Sequence, residues 1–246
     1  MALPAWREPL SLALFSFAAT SASAKTVGGA PLIPEPMVFD MVRPLAAPRG
    51  ELEVNALGLF PLDAPGEEID WAPEIEYAFA DGFAVEFELP FDNARLTSYK
   101  IGLQGTFGTL GDNSIVHGFQ YLGVIDRDTG RLETTLLYIA GVRYSERWST
   151  LTMIGFNLPN DLRAADEGRD DALLLNHSLF FDVSKQTTAG IELNVRAGRR
   201  TRSWLVMPQL HQRLADTVML QAGFGAQKSA GRATHPTAAL RLIKEF

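Results

Sequence analysis

The sequence predicts an all-β chain in which one antiparallel sheet closes into a barrel of about twelve strands. From residue 51 onward, segments of about ten residues rich in Leu, Val, Phe, Tyr and Thr follow one another, with turn-forming residues between them. Apolar and polar residues alternate within these segments, and none keeps the 3.6-residue period of an amphipathic helix. The pattern favours strands that have one apolar and one polar face.

The candidate strands number twelve, and an even number is typical of barrels in the bacterial outer membrane. In such barrels both termini lie on the periplasmic side, and short periplasmic turns alternate with longer external loops. The connectors after odd-numbered segments are generally longer than those after even-numbered ones. This is the alternation expected if the connectors after odd-numbered strands are the external loops. The predicted strands cover residues 51–60, 71–80, 83–92, 96–107, 114–125, 131–144, 147–157, 172–183, 187–197, 201–212, 216–226 and 234–246.

The stretch "IEYAFADGFAVEFELPF", residues 75–91, shows the alternation most clearly. The pair Asp81-Gly82 joins its two halves, and Asp followed by Gly tolerates the positive φ angles of a type I′ hairpin turn. Successive strand residues point to opposite faces, so the aromatic and aliphatic side chains share one face and the acidic side chains share the other. The acidic face carries Glu74, Glu76, Glu86 and Glu88.

A soluble antiparallel sandwich would show the same alternation, with its apolar faces packed into a core. Three features favour a transmembrane barrel: uniformly long strands, aromatic residues near the strand ends, and an aromatic final residue, Phe246. In a membrane barrel the apolar face contacts lipid, the polar face lines the lumen, and aromatic side chains gather at both interfaces. The predicted interfacial residues are Tyr77, Phe79, Phe83, Phe91, Tyr138, Tyr144, Trp148, Phe156, Trp204 and Phe224.

The N-terminal residues have the features of a cleaved export signal. Arg7 precedes an apolar run over residues 10–19, and the sequence "ASA" at residues 22–24 forms a small-residue cleavage site. The apolar run is too short for a membrane-spanning helix, which needs roughly 20 residues. We therefore predict a signal peptide over residues 1–24, a Pro-rich periplasmic N-terminal arm over 25–50, and an outer-membrane β-barrel over 51–246.

Charge and cysteine content argue against several other classes of protein. The chain has 22 basic and 29 acidic residues and a net charge of -7, which disfavours general electrostatic binding of nucleic acid. The sequence contains no cysteine, so disulfides and thiolate metal sites are excluded. Its glycine-rich stretches lie within or after strands, where no helix follows to bind a phosphate. We predict no cofactor, no metal site and no nucleic-acid partner.

The C-terminal stretch "AALRLIKEF" resembles the targeting signal of bacterial outer-membrane barrels, a final aromatic residue preceded by alternating apolar positions. Lys244 departs from this pattern because it occupies a lipid-side position, from which its long side chain can reach water. The resemblance implies two partners: the surrounding outer-membrane lipid, and the barrel-assembly machinery, which would recognise Phe246.

The run "WAPEIEYAFADGFAVEFELPF" resembles the signature hairpin of an outer-membrane family of transporter-like proteins named "MetA-pathway of phenol degradation". The family pattern, Glu-x-Glu-Tyr-x-Phe-x-Asp-Gly-Phe-x-Val-Glu-Phe-Glu-Leu-Pro, extends here from Glu74 to Pro90. The resemblance is close over about thirty residues. It implies a barrel with a transport-related role, and it fixes neither a substrate nor catalytic residues.

Acidic side chains inside a barrel need water or counter-charges, because burying unpaired charge is costly. Basic residues at other inward-facing positions can supply the counter-charges, so we expect a lumen of mixed charge. The predicted lumen-lining residues are Glu74, Glu76, Glu86, Glu88, Lys100, Arg143, Glu192 and Arg196, with Glu133 and Arg241 at further inward positions.

Twelve strands enclose a bore that is narrow beside that of the diffusion porins, which have roughly 16 to 18 strands. We predict a narrow, charge-lined, porin-like channel for small solutes or ions. Rings of charged side chains would select which solutes pass. Two alternatives stay open. In the first, ion pairs close the lumen and the barrel is a structural scaffold. In the second, the barrel is an outer-membrane lipid hydrolase.

A lipid hydrolase requires a histidine base beside a nucleophile and an orienting polar group. Asn176, His177 and Ser178 are successive strand residues, so His177 points away from the other two and the strand alone forms no triad. The remaining histidines lack the spacing of metal ligands. We therefore predict no catalytic residues and no enzymatic activity.

Replacing Glu86 and Glu88 together by Gln is expected to change ion selectivity, because charges that line a narrow lumen act directly on permeating ions. Reversal potentials in planar bilayers measure the effect, and the wild type is expected to conduct in discrete, cation-biased steps. Unchanged selectivity in the double variant would show that these glutamates do not set the lumen charge. The absence of measurable conductance would support the scaffold, and hydrolysis of phospholipid or lipopolysaccharide would support the enzyme.

Overall fold

The structure, a computed structural model, describes residues 26–27, 29–63, 66, 68–159, 171–199, 202–229 and 231–246. The predicted signal peptide lies outside the described residues. Within these ranges, we find no helix with the length and apolar character that a membrane span requires.

Twelve long strands form one closed antiparallel barrel, which confirms the predicted fold class. They are β1 (Leu52–Pro61), β2 (Asp70–Ala80), β3 (Phe83–Glu88), β4 (Ser98–Leu110), β5 (Ile115–Asp126), β6 (Leu132–Arg143), β7 (Trp148–Pro159), β8 (Ala172–Asp182), β9 (Thr187–Gly198), β10 (Arg202–Ala215), β11 (Val218–Lys228) and β12 (His235–Glu245). Each strand pairs with the next in sequence, and β12 pairs with β1 to close the sheet. At this seam Phe246 donates its backbone N–H to the Leu52 carbonyl at 2.9 Å.

The third strand is shorter than the sequence predicts, because β3 ends at Glu88 rather than near residue 92. Pro90, which has no backbone N–H to give to the sheet, lies two residues beyond this end, whereas β2 and β10 continue through Pro73 and Pro208. Residues 91–92 and 95–96 form a separate short hairpin, and Phe91 pairs with Trp71 on β2. The Phe91 and Trp71 rings stack with their centroids 4.5 Å apart. This contact holds the connection after β3 against the barrel wall.

The two faces of the sheet have opposite character. On β2 and β3 the outward side chains of Ile75 and Phe87 are 44% and 43% exposed, whereas the inward Glu76 is fully buried. Large apolar side chains are exposed in the same alternating way on nearly every strand. A closed sheet with an apolar outer face is the arrangement of a transmembrane barrel, and closure excludes the two-sheet sandwich.

Residues 30–47 of the arm lie inside the barrel. We name the barrel end at which β1 begins the terminal end and the opposite one the loop end. The Leu32 carbonyl accepts a hydrogen bond from Arg143, at the terminal end of β6. The chain then rises to Phe39, beside the middle of β9, and returns to the Ala47 carbonyl, which accepts the Gly82 N–H between β2 and β3. The sequence predicts a periplasmic arm here, whereas these residues lie in the lumen.

Two larger apolar clusters, beside a third formed by Val42, Ala84 and Leu122, account for this position of the arm. The larger joins the arm to the inner faces of β5–β8, and the smaller joins it to β10 and β12. Full burial of a Leu, Ile or Met side chain is worth roughly 1.5–3 kcal/mol, so the apolar arm residues favour the lumen over water. The buried arm residues of the two larger clusters are Ala30, Ile33, Met37, Met41 and Leu45.

Candidate functional site

The carboxylate of Glu192 fastens the tip of the arm to β9. It accepts hydrogen bonds from the backbone N–H groups of Met37, Val38 and Phe39 at 2.9, 3.1 and 2.6 Å. The side chain of Asn194 donates a further hydrogen bond at 2.8 Å. Glu192 is fully buried, and a buried carboxylate is costly unless its oxygens are hydrogen bonded. Three consecutive N–H groups of the arm therefore satisfy one carboxylate of the wall.

Lys100, on β4, ties the arm to β3 through a group of ion pairs. Its ammonium contacts the carboxylates of Asp40 and Glu88 and lies 3.2 Å from Oε1 of Glu86. Asp40 belongs to the arm, whereas Glu86 and Glu88 belong to β3. Lys100 and Glu86 are 7% and 4% exposed, and charges attract each other more strongly away from water.

Two arginines hold a second group of carboxylates, which we name the arginine cluster. Nη2 of Arg241, on β12, lies 2.8 Å from Glu74 and 3.2 Å from Glu76. Arg43, on the arm, contacts Glu53 and lies 3.7 Å from Glu76. The cluster therefore joins the arm to β1, β2 and β12 through charged groups that are all buried.

Glu35 is the carboxyl group that the arm itself brings to the arginine cluster. It accepts a hydrogen bond from Nη1 of Arg241 at 3.5 Å. Burial raises the pKa of Glu35 to about 8, and the Glu53 carboxylate raises it in the same direction against the opposing effect of Arg241. Burial and the neighbouring Glu53 carboxylate therefore both favour the protonated form of Glu35.

Neutral side chains of the wall bind the arm backbone. Gln120, on β5, accepts the Val42 N–H at 3.1 Å and donates to the Asp40 carbonyl at 2.9 Å. Thr106, on β4, accepts the Ala46 N–H at 2.8 Å. Buried backbone groups need such partners, so these side chains allow an irregular segment to pass through the barrel.

Two cavities flank the arm, mainly along the wall formed by β8–β12. The terminal-end cavity measures about 150 Å³, and its lining includes Arg143, His211 and Gln221. The loop-end cavity measures about 180 Å³, and its lining includes Arg196 and Lys228. No carboxylate belongs to the described lining of the loop-end cavity, so its charge is positive. Both cavities have room for several water molecules or a small solute.

An apolar layer separates the two cavities. Met37 of the arm meets Met207 on β10 at the position of Gly223 on β11. A Cβ atom at Gly223 would lie 2.5 Å from Met37 Cε and 2.8 Å from Met207 Sδ, so the glycine is what allows this close approach. Met37 and Met207 are 1% and 0% exposed. Along β10 and β11 the layer lies between Leu205 and Gln227, which line the loop-end cavity, and His211 and Gln221, which line the terminal-end cavity.

All eight predicted lumen-lining residues point into the barrel. Seven are buried, and the half-buried Arg196 lines the loop-end cavity. Arg143 pairs with Asp182 at 3.2 Å near the terminal end. That these residues set the charge felt by a solute stays a prediction. The eight are Glu74, Glu76, Glu86, Glu88, Lys100, Arg143, Glu192 and Arg196.

Sequence reasoning missed the arm residues that meet these side chains. Glu35, Asp40 and Arg43 stand among Met, Val, Phe and Pro in the arm, and charged residues in so apolar a segment are a signal of buried, paired charge. That signal was present, but the proline content of the segment pointed to an extended arm.

The hydrolase alternative depends on His177, which lies on the outer face. Its Nδ1 is 2.9 Å from Thr152 Oγ1, also on the outer face. Asn176 and Ser178 are fully buried on the inner face. The sheet therefore separates this histidine from its two neighbours, as strand geometry requires.

Comparison with solved structures places this fold among outer-membrane channels and porins. The KdgM porin aligns with a TM-score of 0.61 at 9% identity, over 79% of this chain and 99% of that one. The COG4313 outer membrane channel from Pseudomonas putida F1 aligns with a TM-score of 0.65 at 13% identity, over 87% and 100%. The NanC porin aligns with a TM-score of 0.62 at 7% identity, over 78% and 98%. At such low identities, these alignments show a shared fold. The predicted outer-membrane location agrees with that fold. Neither a protein-family model nor a curated protein matches the sequence.

Replacing Glu192 by Gln is expected to loosen the arm. One oxygen becomes an NH₂ group facing the N–H donors of residues 37–39, and a hydrogen bond to a charged group is worth about 1.5–3 kcal/mol. Chymotryptic cleavage after Phe39, followed by mass spectrometry on the folded protein in micelles, should become about tenfold faster or more. The control is Glu133→Gln. The Glu133 carboxylate accepts a hydrogen bond at 2.7 Å from the side chain of Asn157, on β7. Equal cleavage rates in wild type and Glu192→Gln would contradict the anchor.

Proposed function

We propose that this protein is an outer-membrane channel for small polar solutes, and that its own arm holds the channel closed. The observation that carries the proposal is the pair of cavities along one wall, one toward each end of the barrel, separated by the layer of Met37, Met207 and Gly223. A barrel that served only as a scaffold would not need aligned cavities on both sides of one apolar layer.

Opening requires a local change rather than release of the whole arm. Met37 has a flexible, unbranched side chain that changes rotamer readily, and its backbone is fixed by Glu192. Rotation of this side chain away from Gly223 joins the two cavities while the ion pairs of Lys100 and Arg241 stay intact. The apolar layer then acts as a gate that excludes water when closed.

The geometry also revises the expected selectivity. The acidic residues of β2 and β3 face the arm, Lys100 and the arginines, and none of them lines the loop-end cavity. The loop-end cavity instead presents Arg196 and Lys228. We therefore expect small anionic and neutral solutes to enter in preference to cations, in contrast to the cation bias expected from the sequence.

We further propose that the chain is not an enzyme and that it belongs to the "MetA-pathway of phenol degradation" family. The position of His177 on the outer face, away from Ser178, supports the first statement. The hairpin from Glu74 to Pro90, which forms β2 and β3 with its glutamates turned inward, supports the second. Recognition of Phe246 by the barrel-assembly machinery is likewise a proposal, supported by the alternating residues of β12.

Replacing Met37 by Ala is expected to raise single-channel conductance several-fold in planar bilayers, because it removes the gate side chain. Met41→Ala is the matched control, since Met41 is an equally buried arm methionine that packs against the β5–β8 wall. Each Met→Ala change costs about 2–5 kcal/mol of stability, so loss of stability alone would affect both variants.

An equal rise in both variants would mean that general loosening, not the gate, limits conduction. The absence of measurable conductance in both the wild type and Met37→Ala would support the scaffold instead of the channel.

A further inference from the structure

We infer that Asp40, Glu74, Glu86 and Glu88 form a binding site for a divalent cation, with calcium the ion that fits best. One carboxylate oxygen from each of the four residues lies within 4.8 Å of the corresponding oxygen of every other. Calcium binds oxygen at about 2.3–2.6 Å, so two ligands on opposite sides of one ion are at most about 5 Å apart. The four carboxylates thus already have the spacing of a shared coordination sphere. The Lys100 ammonium contacts three of them, so binding of the ion requires this ammonium to turn aside.

Glu86 supplies an independent indication of a missing ligand. Its Oε2 is buried and has no hydrogen-bond partner among the described residues. Its Oε1 has Lys100 at 3.2 Å. Its Oε2 would lie 3.2 Å from a Cβ atom at Gly102, so the glycine leaves space for this carboxylate group. A buried carboxylate oxygen without a donor is costly, and a bound cation removes that cost.

The charge balance points in the same direction. The four carboxylates face one ammonium group, that of Lys100, and Glu74 shares Arg241 with the arginine cluster. Removing a charged group from water costs several kcal/mol unless an opposite charge compensates it. The group of Glu35, Glu53 and Glu76 also has metal-like spacing, but two arginines already contact it. The unmatched negative charge is concentrated at Asp40, Glu74, Glu86 and Glu88.

Calcium fits these ligands better than magnesium. Calcium accepts six to eight oxygens in irregular geometry, whereas magnesium requires a near-ideal octahedron and usually keeps several waters. Four carboxylates can offer eight oxygens, and the buried Val42 beside Glu86 and Gly102 leaves little room for retained water. The side chain of Asp40 is 22% exposed and provides the route by which an ion enters from the lumen.

A cation here would bridge the arm to the wall, because Asp40 lies on the arm and the other three ligands lie on β2 and β3. The bound ion stabilises the arm in the lumen by an amount that grows with the logarithm of the free calcium concentration above the dissociation constant. This inference goes beyond the channel proposal. It is tested by calcium binding and by protection of the arm from protease, and neither measurement requires conduction. Failure of the channel proposal would leave it intact.

Isothermal titration of the folded full-length chain in micelles, stripped with chelator, tests the site with CaCl₂. We expect one calcium per wild-type chain and at least tenfold weaker binding in Asp40→Asn and Glu86→Gln. The control Glu133→Gln, an inward carboxylate outside the cluster, should bind as the wild type does. Calcium should also slow chymotryptic cleavage after Phe39 in wild type and not in Asp40→Asn.

Two results would overturn the inference. The first is no calcium binding by the wild type, which would mean that protons neutralise the carboxylates. The second is equal binding by wild type, Asp40→Asn and Glu86→Gln, which would place the ion elsewhere on the protein. Tighter binding of MgCl₂ than of CaCl₂ would overturn the assignment to calcium. Circular dichroism of each variant establishes that the barrel is folded.

Discussion

Buried carboxylates on the inner wall of the barrel are the constraint on which the rest of the structure depends. A twelve-stranded barrel is too narrow to hydrate seven closely spaced acidic side chains as bulk water would, so the lumen must contain donors and cations. The arm supplies much of this need: three N–H groups for Glu192, the guanidinium of Arg43 for Glu53, and the apolar side chains that cover the remaining wall.

The arm divides the lumen into two regions of different character. Toward β1–β5 it is held by ion pairs and by side chains that bind its backbone, and these contacts leave little freedom to move. Toward β8–β12 it is bound by Glu192 on β9 and packs on the wall through Met37, and it leaves the two cavities there. A path that opens and closes is therefore expected on the second side, where an apolar layer lies between the cavities. The charged side provides the fixed support against which a gate can work.

The barrel could be predicted from the sequence because strand alternation is a local property. Ile75 and Glu76 occupy opposite faces whatever their partners are, and Asp81-Gly82 fixes the hairpin register. The end of β3, two residues before Pro90, was misjudged. The position of the arm could not be predicted in this way, because Asp40 meets Glu86 and Phe39 meets Glu192 only through long-range packing. For the same reason a search for short metal-binding spacings could not bring Asp40 together with Glu74, Glu86 and Glu88.

The central claim, that the arm fills the lumen, can be tested most directly by thiol labelling. The chain contains no cysteine, so a single introduced thiol reports one position. Val42 is fully buried in the arm, whereas Arg49 is exposed near the terminal end. In the folded barrel, Val42→Cys should resist a bulky maleimide for as long as Arg49→Cys needs to be fully labelled, and it should react once the protein is denatured. Equally fast labelling of the two thiols in the folded barrel would contradict an arm packed inside the lumen.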